Sequence, residues 1–102
     1  MSEPSFEFEV AEIFVEAEGL LLRKHSDYGP RNIAQAPGGP LNGLAVRLHD
    51  KVARLAHLNK GSKPNNESIR DTMLDIANYG IIGVLVLDNK WPGLDTGYPI
   101  QQ

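Results

Sequence analysis

The chain has 102 residues, with 13 acidic against 10 basic side chains and a net charge of −3. That length holds one domain with a modest core. A slightly acidic chain with no basic block is not built for direct nucleic-acid binding, and the absence of cysteine excludes disulfides and thiolate metal sites.

Phe6 to His25 reads as the first helix, with Phe6, Val10, Ile13, Phe14, Ala17, Leu20 and Leu21 at helical spacing. Ser5 is placed to cap it. Glu7, Glu9, Glu12, Glu16 and Glu18 fill much of the remainder, as a solvated face would. Asp27 to about Asn42 carries three prolines and three glycines and is expected to be a loop. A connection that long exceeds the median of roughly 4–6 residues and is often functional.

Gly43 to Lys60 is expected to form the second helix. Its expected buried stripe is Leu44, Leu48, Val52, Leu55 and Leu58, with Arg47, Asp50, Lys51 and Arg54 on the opposite face. Lys63 to Asn66 reads as a turn, with Asn65 or Asn66 as the cap of a third helix from about Glu67 to Asp88. Trp91-Pro92-Gly93 ends that helix, and residues 93–102 read as an extended arm or disordered end. Strand-like alternation is absent. The expected class is all-α, a small antiparallel helical bundle spanning residues 1–92.

Met1-Ser2-Glu3-Pro4 does not resemble a signal peptide. The longest apolar stretch, Ile81 to Leu87, is shorter than the roughly 20 residues of a membrane span. The expected location is therefore cytoplasmic, with no membrane partner. The apolar face of Ile81–Leu87 argues against an isolated monomer, so a homodimer or homotetramer is expected.

Three carboxylates at a spacing of four, Glu67, Asp71 and Asp75, stack on one side of the third helix. Their mutual repulsion would be relieved by a divalent cation such as Mg²⁺ or Mn²⁺, with Asp50 as a further ligand if the second and third helices pack antiparallel. The plainer reading is a solvated acidic stripe, with Asp71 and Asp75 in salt bridges to Arg47, Lys51 and Arg54. Those same cations could instead hold phosphate oxygens. His25, Asp27, Tyr28 and Asn32 form a further group, in which the tyrosine and asparagine could stack on a base and hydrogen-bond its edge, or the loop could simply pack down on Tyr28. His49 and His57 read as helix-surface residues.

Three motifs occur in order: Lys24-His25-Ser26-Asp27-Tyr28-Gly29-Pro30-Arg31-Asn32-Ile33, then Gly43 through Leu55 with Arg47-Leu48-His49-Asp50-Lys51 at its centre, then Asn66 through Tyr79. Over about residues 20–91 they resemble a small phage-encoded family, the nucleotide modification associated domain proteins, itself similar to the MazG-like all-α NTP pyrophosphohydrolases. The resemblance implies Mg²⁺-dependent cleavage of a (deoxy)nucleoside triphosphate to monophosphate and pyrophosphate in the cytoplasm of a phage host, in nucleotide metabolism or DNA base modification. It implies metal ligation and catalysis by Asp50, Asp71 and Asp75, metal ligation by Glu67, and substrate contacts by Tyr28, Asn32, Arg47, Lys51, Arg54 and Asn78. The chain departs from the enzymes' usual Glu-x-x-Glu and Glu-x-x-Asp pairs: it has Arg47-x-x-Asp50, and its later acids are four apart. A nucleotide-binding protein without catalysis, sequestering a nucleotide or serving as a partner subunit, is the alternative. A helical interaction module with no ligand is the third reading.

Overall fold

The computed structural model describes residues 3–61 and 66–94, and among these it is all helix and connection, with no strand. Helix α1 spans Phe6–Tyr28, α2 Arg31–Ala34, α3 Pro40–Asn59 and α4 Asn66–Leu87. The expected cap Asn65 and the arm beyond Leu94 lie outside the described residues.

Local sequence explains the ends. The Ser5 hydroxyl accepts from the Phe8 N–H at 3.1 Å, satisfying one of the free donors of the first turn of α1. That helix runs three residues past His25 and stops at Gly29, whose φ of 72° a side chain would resist. The expected loop is shorter than its prolines suggest. Pro40 takes the first turn of α3, where its missing N–H removes nothing, and residues 31–34 form the extra turn α2. The N-terminal turn of α3 lies close against the connection that follows α2, where a Cβ at Gly43 would collide with Ala36.

Helices α3 and α4 make the most extensive pairing. They run antiparallel, as expected: Leu44 meets Gly83, and Lys51, two turns later, meets Asp75, two turns earlier. α1 crosses α4 around Ala17 and Lys24, with the Ala17 carbonyl on Asn78 and Lys24 on Asp75. After α4, Asn89 adopts a left-handed φ of 59° and turns the chain back. Trp91 then packs against Ile33, Leu44 and Ile82 in the main core cluster.

Two stripes differ from expectation. On α3 the inward positions are Leu44, Arg47, Leu48, Lys51, Leu55 and Leu58, whereas Val52 is exposed. The helix is rotated so that Lys51 faces α4, because Asp75 gives its charge a partner there. On α1 the expected buried residues Phe6, Val10, Ile13 and Phe14 are exposed and only Ala17 is buried. The chain lays just the C-terminal half of α1 against the rest of the fold.

Candidate functional site

The crossing of α1 over the α3–α4 pair leaves a cleft of about 310 Å³, within the usual range for small-ligand sites, which starts at about 300 Å³. Each helix contributes for a local reason. α1 supplies Leu21, Lys24, His25 and Tyr28 from consecutive turns of one face. α3 supplies Arg47 and Lys51, one turn apart, and α4 supplies Asp75, Asn78, Tyr79 and Ile82. Trp91 closes the end next to Ile82 and Ile33.

One end of the cleft is ionic. Lys24 Nζ and Lys51 Nζ each lie 2.9 Å from a different oxygen of Asp75, so one carboxylate links three helices. Burial pushes the Asp75 carboxyl up, but hydrogen bonds and charge from both lysines outweigh it and hold the group below its ordinary value of 3.8. The Asp75 hydrogen bond raises Lys24 above 10.5 against a smaller opposing effect of burial. Arg47 donates through Nη2 to the Asn32 carbonyl at 3.2 Å, tying α3 to α2 and the cleft wall. Lys24, Arg47 and Lys51 against Asp75 leave the lining with an excess of positive charge.

The other end is aromatic and apolar. His25 meets the Trp91 ring edge-on, with centroids 5.1 Å apart and planes at 76°. Trp91 Nε1 donates to the Pro30 carbonyl at 3.1 Å, which fixes the indole in place. Two buried polar atoms on the cleft residues have no hydrogen-bond partner among the described residues: His25 Nδ1 and Asn78 Oδ1.

Of the residues expected from the sequence, Tyr28, Asn32, Arg47, Lys51, Asp75 and Asn78 are gathered at this cleft. Tyr28 stands on the rim, 71% exposed. Asp50, Arg54, Glu67 and Asp71 are exposed and do not line it. Among the described residues no three His, Asp or Glu side chains are placed to hold a metal ion. The stacked acids of α4 therefore diverge in environment: Asp75 is in the cleft wall while Asp71 and Glu67 face away from it. A closed cage of four carboxylates does not fit this arrangement. Asp75 alone of these acids lies in the cleft wall, with both of its oxygens paired to lysines.

Sequence reasoning about single sites passed over Lys24, Tyr79 and Trp91. Lys24 had the weak signal of sitting one turn before Tyr28. Trp91 had none, because it follows a helix end and enters the site only by the reversal at Asn89.

No protein-family model, curated protein or solved structure matches the chain. No helix among the described residues is long and apolar enough to cross a membrane.

Proposed function

We propose that this protein binds a (deoxy)nucleoside triphosphate in the α1–α3–α4 cleft and acts on it as a metal-dependent pyrophosphohydrolase of nucleotide metabolism, releasing the monophosphate and pyrophosphate. The observation that carries the reading is the polarity of the cleft. Cations from two helices crowd one end, and Trp91, His25 and Ile82 line the other. An anionic tail joined to a planar heterocycle has that same polarity. Lys24 and Lys51 would take phosphate oxygens, with Arg47 beside them, and Tyr28 would cover base or sugar from the rim.

Asp75 is the carboxylate that would hold Mg²⁺ or Mn²⁺ alongside the phosphates; the ion would supply charge neutralisation and an activated water. Asp75 must first give up at least one lysine, and an incoming phosphate offers those lysines a competing anion. Asp50, Glu67 and Asp71 remain candidates for ligands only if they face a second copy or move on binding.

The second reading, nucleotide binding without turnover, is favoured by a specific observation: the cleft has one carboxylate, and that one is committed to two lysines. Both readings include self-association as a homodimer or homotetramer. The support is the inventory of apolar side chains. Among the described residues six hydrophobic residues are buried, while fifteen large ones are exposed, more than scattered surface residues account for.

Incubation with each common NTP and dNTP and Mg²⁺ or Mn²⁺, followed by chromatography, separates the readings. Monophosphate and pyrophosphate, lost in Asp75→Asn, support the hydrolase. Saturable nucleotide binding without product supports the second reading, and neither binding nor product overturns both.

A further inference from the structure

Asn78 is 6% exposed and lines the cleft. Its Nδ2 donates to the Ala17 carbonyl at 3.0 Å, which fixes the orientation of the amide, because an oxygen placed there would face another acceptor. Oδ1 is consequently the free end, and it has no donor among the described residues. A buried acceptor left unpaired is costly and uncommon in folded proteins. A donor from outside the chain, a buried water or a ligand group, belongs there.

The position of Asn78 restricts what that donor is. Asn78 lies three residues beyond Asp75 and four before Ile82, so it sits about 4.5 Å along the helix axis from the ionic end and about 6 Å from the apolar end. Ionised phosphate oxygens are acceptors and would be repelled by Oδ1, so this point of the cleft does not serve the phosphates. We infer that Asn78 is a recognition residue that accepts a hydrogen bond from a neutral donor on the nucleoside part of the ligand, either a sugar hydroxyl or a base N–H. Resting on the nucleotide reading above, this divides the cleft into a phosphate half at Lys24 and Lys51 and a nucleoside half that begins at Asn78. His25 Nδ1, the second unpartnered atom on the cleft residues, belongs to the nucleoside half through its contact with Trp91.

Trp91 is the sole tryptophan of the chain and lies in the cleft wall, so its fluorescence reports binding directly. The titration uses the eight common NTPs and dNTPs, and inorganic tripolyphosphate as a ligand with no nucleoside, all in EDTA to prevent turnover. Asn78→Leu keeps the approximate size and removes the acceptor; Asn78→Ala is the second variant should leucine disturb packing. Retained tripolyphosphate binding shows that a variant is folded. The expected result is a loss of at least about tenfold in nucleotide affinity with tripolyphosphate affinity unchanged, whereas Lys51→Ala weakens both. Dideoxynucleoside triphosphates distinguish the two donors: a matching loss in the wild type assigns the sugar hydroxyl, and undiminished binding assigns the base N–H. Nucleotide affinity unchanged in both Asn78 variants, or lowered equally with tripolyphosphate, overturns the inference while leaving nucleotide binding intact. Failure of the wild type to bind any nucleotide overturns the nucleotide reading and this inference together.

Discussion

The two faces of α4 carry the wrong chemistry for an isolated bundle. The face turned toward α1 and α3 holds Asp75, Asn78 and Tyr79 among its apolar contacts. The face turned away holds Met73, Ala77, Gly80, Val84 and Leu87, all exposed and without a charge. Their spacing alternates four and three, the seam that packs one helix against another. A monomer needing only to fold would reverse these preferences. The inner polarity makes sense if a ligand enters, and the outer apolarity if another helix covers it.

Stability measurements test whether the faces differ as drawn. Ile82→Ala, on the inner face, removes a core side chain and is expected to cost about 2–5 kcal/mol in denaturant unfolding. Ile81→Ala, one residue away and outward, should cost less than about 1 kcal/mol in a monomer. A cost for Ile81→Ala that approaches that of Ile82→Ala and grows with protein concentration would show that the outer face is covered in solution. Val84→Asp sharpens the same point through assembly. Sedimentation equilibrium should find the wild type associated and the variant monomeric, with the melting transition of the monomer retained. A monomeric wild type would remove the reason given for the outer seam.

The helices were legible because their signals are local: the Ser5 cap, the periodicity of α1, α3 and α4, and the break after Leu87. The face each helix presents was less legible, because that depends on its neighbours. Leucine spacing on α3 put Val52 inside and Lys51 outside; the structure reverses them, since an inward, half-buried lysine becomes tolerable once Asp75 on α4 is opposite. The apolar stripe of α1 continues from Phe6 to Leu21, but only its second half finds α4. The acidic stack of α4 was read as one unit because Glu67, Asp71 and Asp75 share a spacing. A drift of about 40° per four residues on a helix of 3.6 residues per turn is enough to bring Asp75 into the cleft wall and leave the others outside.

The ion pairs at the inner face should set how stability depends on pH. Asp75 is held below 3.8, so its contribution is present above that value and is lost as pH falls through the lower folded-state pKa. Lys24 is held above 10.5, so its contribution is present below that value and is lost as pH rises through the higher one. Asp75→Asn removes both dependences. It leaves two lysines facing an amide, but both ammonium groups are partly exposed and can rehydrate, so the expected cost near neutral pH is about 1–2 kcal/mol. An acid limb that persists unchanged in Asp75→Asn would assign it to other carboxylates.

The smallest effect expected is at Glu16, where α1 leaves the body of the fold. Its carboxylate receives Arg70 Nη1 at 2.5 Å and Nη2 at 2.6 Å, a bidentate pair joining α1 to α4. The hydrogen bonds from Arg70 hold Glu16 below its ordinary pKa, yet both side chains are about half exposed and water screens the attraction. Glu16→Gln is therefore expected to shift the melting temperature by no more than exposed pairs usually do, and the shift should vanish in high salt. A salt-insensitive loss comparable to that of Asp75→Asn would mean that this pair is buried in solution. Because Arg70 lies one turn before the outward Met73, such a result would extend the covered surface of α4 to the base of α1.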